Sequence, residues 1–322
     1  MKPVNLAIDL GGTRVRAALA DGEDLSQRIE EATILQGGPD GVIAQVVALG
    51  ARSLEQAGMS WRDVGCLSVA SPGPLNTQTG VVFSPPNLPG WNDVPLKAEL
   101  EQRTGVSVLV VNDANAAGLG EFHFGAGRGR RSMIYLTVST GIGGGVIIDG
   151  ALVEGTSGTA GEIGHMTIDL NGPRCTCGNT GCLEMLASGT SIARRFQERQ
   201  TAGEHSTLKA EPGKQVSAAR IAAAAAEGDP LASAVWFDAM RALGFGVVNC
   251  IHIFNPEIVA IGGGVSAAGD LFFTPIRDIV NRYALPVPRR DVEVVPAQLG
   301  ADVGLVGAAA FARTFMDARA IR

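Results

Sequence analysis

The chain has 322 residues, of which 46% are hydrophobic and 18% charged, with a net charge of −6. That is length enough for two domains and apolar residue enough for a sizeable core, while an acidic balance with one compact basic cluster, "GRGRRS" (Gly127 to Ser132), argues against nucleic acid as a partner. No window offers the roughly 18 to 20 uninterrupted apolar residues of a membrane helix, and the opening "MKPVNLAIDLGGT" reads as a strand broken by Asp9 rather than a signal peptide, so no membrane association and a cytoplasmic location are expected.

In chain order, "VNLAIDL" is β-rich, and the alternating "TRVRAALA" follows after two glycines, so the two pair as a hairpin. A third strand falls before Leu35. Asp40 is placed to cap a helix with an apolar stripe of Val42, Ile43, Val46, Val47 and Leu54, ending near Gly58. "VGCLSVA" is a buried strand that runs into the turn-rich "SPGPLNTQTG". "SPPNLPGW" holds too much proline for regular structure and reads as an ordered loop. "VSVLVV" is another buried strand, and "NDANAAGLGEF" opens a helix. The pattern then restarts: "SMIYLTV" is a strand, "STGIGGG" a glycine turn, "VIID" a returning strand. Two similar α/β halves follow from that repetition. The cysteine-bearing segment is loop-like, and helix resumes from Ser188. "TAGEHSTLKAEPGK" (Thr201 to Lys214) is polar and reads as a mobile insertion. Asp229-Pro230 starts a long helix to Phe254. "EIVAIGGG" is a strand entering a third glycine turn, and Asp302 is placed to cap the final helix.

Glycine is in excess, at 43 of 322 residues or about 13% against about 7% on average. Clustered glycines let backbone N–H groups approach a ligand, because no Cβ intervenes. In "IDLGGT", Asp9 can hold Mg²⁺ through water, while Gly11, Gly12 and Thr13 can donate to phosphate oxygens. A plain tight turn has the same signature. Thr140 and Gly141 offer a second such hairpin. A third turn, with Gly263 and Gly264, ends a buried strand. Three turns together favour a nucleotide cleft. None has the P-loop or Rossmann spacing.

Asp113 follows a buried strand and opens a helix, so it reads either as an N-cap or as a general base at a strand's carboxyl end. A kinase needs such a carboxylate to orient and deprotonate the attacking hydroxyl. Asn112 beside it can donate to and accept from a polyhydroxylated substrate. Cys175, Cys177 and Cys182 lie within eight residues, with His165 ten positions earlier. Three thiols and an imidazole can close a tetrahedral Zn²⁺ site; buried free thiols are the alternative. Cys66 and Cys250 lie in apolar patterns and read as core. His123 and His252 read as packing or surface residues, and His205 belongs to the polar insertion.

"DLGGT", "SPGP", "PNLPGW", "NDANAAGLGE", "STGIGGG", "GEIGH" and "CTCGNTGCLE" resemble, in order and spacing, the ROK sugar kinases. "NLPGW" and "CLEMLASGTSIARR" look most like the bacterial glucokinases among them. The resemblance covers nearly the whole chain. It implies an α/β, two-lobed, actin-like (ribonuclease H-like) fold with a cleft between the lobes and a final helix returning to the first lobe. The lobes would be residues 1–111 with about 301–322, and 112–300 with the zinc loop. It implies an ATP-dependent hexose kinase, glucose favoured, with Mg²⁺ catalytic and Zn²⁺ structural. Asp113 then matches the catalytic base. Gly73, Asn87, Asn112, Asp113, Glu162, His165 and Glu184 match sugar-contacting positions. His165, Cys175, Cys177 and Cys182 match the zinc ligands. A homodimer or homotetramer is expected.

Overall fold

The first strand, β1 (Val4–Leu10), has large residues on one face and a small one on the other. Leu6, Ile8 and Leu10 join a core with Val42, Ile43, Val46 and Leu49 of α1 (Gly38–Gln56). Full burial of each such side chain is worth about 1.5–3 kcal/mol. Ala7 joins Ala18, Ala20 and Ala70 on the opposite face, where Leu305, Ala308 and Ala309 of the final helix pack. The computed structural model describes residues 4–209 and 215–320, with side chains as far as Thr314.

These residues fall into two units. The first contains residues 1–129, 152–161 and 299–322. Its five-stranded sheet runs β3-β2-β1-β4-β7. β2 (Arg14–Asp21) and β3 (Asp24–Ala32) are antiparallel, whereas β4 (Val64–Ser71) and β7 (Val108–Asn112) run parallel to β1. The turn-rich stretch after β4 holds a small ribbon of β5 (Leu75–Asn76) and β6 (Val81–Val82). α2 (Leu96–Thr104) precedes β7, and α3 (Asp113–Phe124) follows it directly.

The second unit contains residues 130–151 and 162–298. Its sheet order is β10-β9-β8-β11-β12, built from β8 (Met133–Val138), β9 (Ile142–Ile148), β10 (Ala151–Leu152), β11 (Ile258–Gly262) and β12 (Glu293–Pro296). β8 and β9 form the hairpin, and β11 and β12 add in parallel. The order matches that of the first unit strand for strand, as the repeated strand–glycine–strand pattern implied. The helices are α4 (Leu183–Ala187), α5 (Gly189–Thr201), α6 (Ala218–Ala226), α7 (Pro230–Phe254), α8 (Asp270–Tyr283) and α9 (Pro286–Asp291). α7 reaches a mean hydropathy of 1.4, long and apolar enough by composition for a bilayer. However, Asp238 and Arg241 interrupt it, and 67% of that window is buried.

The division falls at Gly129 rather than after Val111. α3 stays with the first unit because it packs on the returning helix α10 (Val303–Ala320). The two backbones meet so closely that a Cβ on Gly307 would lie 2.0 Å from the Ala116 oxygen. Three smaller expectations change. Gly37, in the left-handed region, is the N-cap of α1; Asp40 lies in its first turn and holds Arg103. Asp302 accepts from Arg28 at 2.8 Å. In the polar stretch, the carboxylate of Asp229, the N-cap of α7, accepts from the Ser206 hydroxyl and from the N–H and hydroxyl of Thr207. Ser206 and Thr207 are therefore tied to the start of α7; 210–214 lie outside the described residues. Cys66 and Cys250 are core residues as expected.

Candidate active site

In the first unit, β1 turns into β2 through Gly11, Gly12 and Thr13, with the Gly11 N–H donating to Arg14 O at 2.9 Å. Asp9 stands one residue before the strand end, opposite Arg16 in register. The Arg16 guanidinium donates to the Asp9 carboxylate and to the Ala301 carbonyl. Burial lifts the Asp9 carboxyl above its ordinary value, against the pull of Arg16. Gly304 of α10 also lies against this carboxylate; a Cβ there would sit 2.4 Å from Oδ2. The reading of single residues missed Arg16.

Asn87 packs its backbone on Gly12, where a Cβ would come within 2.4 Å of the Asn87 oxygen. Gly73 lies beside Asn112 in the same way: a Cβ there would come within 2.7 Å of Nδ2. Asn112 ends β7 and caps α3: its Oδ1 accepts from the N–H groups of Ala114 and Asn115 at 3.0 and 3.1 Å. The N-cap role considered for Asp113 is thus filled by its neighbour. Asp113 is the first helical residue, exposed, with Oδ1 accepting from the Ala114 N–H at 2.8 Å.

In the second unit, the β8–β9 turn carries Thr140 and Gly141. Glu184, on α4, reaches this turn: its Oε2 accepts from the Ile142 N–H at 2.8 Å. A Cβ at position 141 would lie 2.4 Å from that oxygen and displace the carboxylate. Gly263, with φ +91°, crosses β8 so closely that a Cβ would meet the Val138 oxygen at 2.4 Å. Next to Gly264 and Val265 is a cavity of about 300 Å³, walled by the alanines of α6 and by Trp236 and Leu271. The Trp236 indole N–H donates to the Leu271 carbonyl, so no side chain in this wall has a polar group left to offer. The alanine run "AARIAAAAA" gave no chemical signal of it.

Glu162 and His165 flank a single 3-10 turn, Ile163–His165. Glu162 Oε2 lies 4.0 Å from His165 Nε2. Burial raises the Glu162 carboxyl, the His165 ring opposes that, and Glu184 adds to it. The other ring nitrogen, Nδ1, faces Cys175 Sγ at 3.6 Å, and Cys177 Sγ faces Cys182 Sγ at 3.7 Å. All four donor atoms lie within 4.8 Å of one another. A zinc tetrahedron with Zn–S of about 2.3 Å and Zn–N of about 2.0 Å spaces its sulfurs about 3.8 Å apart and sulfur from nitrogen about 3.6 Å. The donor set fits that geometry. Burial and the adjoining thiols push the Cys182 thiol up to about 12, whereas the Asn179 N–H draws Cys177 down. A divalent cation would stabilise the crowded thiolates together.

The model of the ROK family matches residues 5–315. The chain belongs to the ROK family. The glucokinase of Thermotoga maritima is 40% identical over 309 residues, covering 94% of this chain and 95% of its own length. Two solved ROK structures share the fold. The ROK hexokinase from Thermus thermophilus matches with a TM-score of 0.83 and 33% identity, over 98% of this chain and 99% of its own. A ROK glucokinase from Streptomyces griseus, solved with glucose and AMPPNP, matches with a TM-score of 0.80 and 34% identity, over 97% and 99%. The ROK architecture is the actin-like α/β fold read from the motifs.

Proposed function

We propose that this ROK protein is an ATP-dependent hexose 6-kinase with glucose as its favoured substrate. The observation that carries the reading is Asp113: an exposed carboxylate at a strand's carboxyl end whose expected capping job belongs to Asn112. The similarity to the Thermotoga maritima glucokinase and the glucose-bound Streptomyces griseus structure supports the choice of sugar.

In this reading, Asp113 takes the proton from the sugar 6-hydroxyl as that oxygen attacks the γ-phosphoryl group in line. Gly73, Asn87, Asn112, Glu162, His165 and Glu184, which match the family's sugar-contacting positions, hold sugar hydroxyls. The N–H groups of Gly11, Gly12, Thr13, Thr140, Gly141, Gly263 and Gly264 receive phosphate oxygens. The apolar cavity beside Gly264 suits a flat heteroaromatic base such as adenine. The Asp9 carboxylate, buried and balanced by one arginine, suits a water-bridged Mg²⁺, which when bound neutralises charge on the transferring phosphates. His165, Cys175, Cys177 and Cys182 would hold Zn²⁺ with no open coordination position, a structural ion. His165 links the two tasks: with Nδ1 toward the thiols, Nε2 is left to carry a proton and donate it to a sugar hydroxyl near Glu162. An ADP-release assay over glucose, mannose, fructose and N-acetylhexosamines, with ATP and with polyphosphate, tests the proposal. ATP with glucose should give the highest kcat/KM; no turnover with any pair would leave a sugar-binding protein without kinase activity.

A further inference from the structure

Of the five cysteines, Cys66, Cys175, Cys182 and Cys250 are buried, and Cys177 alone is exposed. Its sulfur faces that of Cys182 at 3.7 Å, whereas Cys175 faces the His165 ring at 3.6 Å. The Cys182 sulfur in turn touches the His165 carbonyl at 3.4 Å. A thiol open to solvent with a covered thiol behind it is the arrangement of a redox-sensitive pair: the first meets the oxidant and the second resolves it.

The backbone on the two sides differs. Cys182 is anchored by a bridge to Thr167, and the N–H of Leu183 after it donates to the Met166 carbonyl at 2.9 Å. Gly181 before it packs so tightly that a Cβ would lie 1.6 Å from the Asp169 oxygen. Cys177 instead sits in a single turn, closed by the Gly178 N–H on the Cys175 carbonyl at 3.0 Å. Gly178, at φ +93°, has open space where a Cβ would point. A disulfide needs its sulfurs about 2.05 Å apart. The exposed turn has room to close that distance while the buried sulfur stays in place. A bridge from Cys177 to Cys175 would enclose Thr176 alone and strain the same turn.

We propose that Cys177 and Cys182 form a peroxide-responsive disulfide that switches off the sugar site. The Cys177 thiolate attacks one oxygen of hydrogen peroxide. The O–O bond breaks, hydroxide leaves, and Cys177 becomes a sulfenic acid. The Cys182 thiolate then attacks the Cys177 sulfur, expelling a second hydroxide and forming the S–S bond. Peroxide gains the two electrons that the thiol pair loses. The cluster is left with Cys175 and His165 in place of four donors, too few to retain a structural Zn²⁺. His165 loses the constraint on its ring. The consequence for glucose rests on the reading of His165 as a sugar contact; the disulfide itself does not.

The full chain, reduced and purified with Zn²⁺ present, tests this under increasing equivalents of hydrogen peroxide. Reduced thiols are blocked with N-ethylmaleimide, and disulfides are then opened and labelled with iodoacetamide. Tandem mass spectrometry of the tryptic peptide 175–194, which holds all three clustered thiols, reads which two were joined. A chromogenic chelator follows zinc release, and calorimetry follows glucose binding. Cys177 and Cys182 should carry the second label and Cys175 the first, with about one zinc released per disulfide. Glucose affinity should fall at least about tenfold. Dithiothreitol with Zn²⁺ should reverse all three changes. Thiols that stay reduced while added N-acetylcysteine is consumed, a Cys175–Cys177 bridge, or a Cys177–Cys182 bridge with zinc and glucose affinity unchanged would each overturn the proposal. Protein purified without zinc would remove the metal reading, and the labelled pair and glucose affinity would then decide. Reduced protein that binds no glucose would remove the kinase reading, and the labelled pair and zinc release would then decide.

Discussion

In the first unit, Asn112 and Asp113 stand where β7 passes directly into α3, in register with β4 up to Ser71 and capped by the Asn112 side chain. In the second unit, Glu162 and His165 stand on one 3-10 turn, and the run from there to Cys182 has only two isolated bridges, Thr167 with Cys182 and Arg174 with Thr180. Side chains on a strand-to-helix junction take their direction from the backbone ladder. Side chains on an irregular run need another constraint, and here four metal-ligating atoms converge within 4.8 Å. Two units with the same sheet order thus place their candidate site residues on different supports, one on a strand-to-helix junction and the other on an irregular run beside four potential metal ligands.

Variants on either side test that contrast. Asp113→Asn should have the largest effect. General base catalysis is typically worth about 10²- to 10⁴-fold, so kcat should fall by at least about 10²-fold, while sugar KM and zinc content change little. Steady-state kinetics checks this, and near wild-type kcat would reduce Asp113 to the first residue of a helix. Cys177→Ser should come next. Metal analysis should show about one zinc per chain in the wild type and a loss in the variant. The kcat/KM for glucose should drop by about 10- to 100-fold through misplacement of Glu162 and His165. Zinc loss with unchanged kcat/KM would mean that the metal staples a loop remote from the chemistry.

A smaller effect is expected from the donor base. The cavity beside Gly264 has no side chain to read a base edge. One neutral hydrogen bond is worth about 0.5–1.5 kcal/mol, so GTP should support kcat/KM within about tenfold of ATP. A preference of about 10³-fold would mean that backbone groups read the base. The smallest effect should come from Asp229→Ala, which removes the α7 cap at a cost of about 1–2 kcal/mol. Burial alone would raise the Asp229 carboxyl, but the Ala232 N–H, the Ser206 hydroxyl, and the N–H and hydroxyl of Thr207 outweigh it and hold the group at about 2. A depressed carboxyl stabilises fully above its unfolded value and loses that contribution as pH falls toward about 2. Acid unfolding of the wild type should therefore include a component between about pH 4 and pH 2 that the variant lacks. Identical acid profiles would contradict the assigned bonds.

Much of the fold was legible because period and punctuation agreed. Both glycine hairpins, the buried strands around Leu67 and Val110, and the Asp229-Pro230 helix start appear where pattern and turn chemistry placed them. The cap readings were less secure. Asp40 and Asp302 have the side chains of caps, but each was within reach of an arginine, which a one-dimensional pattern does not reveal. The division between units was misplaced because β7 to α3 looks like a boundary, while the Gly307 approach to Ala116 that keeps α3 with the first sheet is a contact across nearly two hundred residues. At the candidate site, chemically distinctive residues could be named one by one. What could not be read was their pairing: Asp9 with Arg16, Glu184 with the Ile142 N–H, and a cavity made of alanine.

The most direct test of the contrast is calorimetric titration of wild type and Cys177→Ser, each with glucose and, separately, with a non-hydrolysable ATP analogue. Glucose affinity should fall at least about tenfold in the variant, while nucleotide affinity stays within about twofold because none of the four clustered Cys and His residues lies in a glycine turn. Unchanged glucose affinity in a variant shown to lack zinc, or an equal loss of both ligands, would contradict the claim that ligation positions the sugar-binding groups of the second unit.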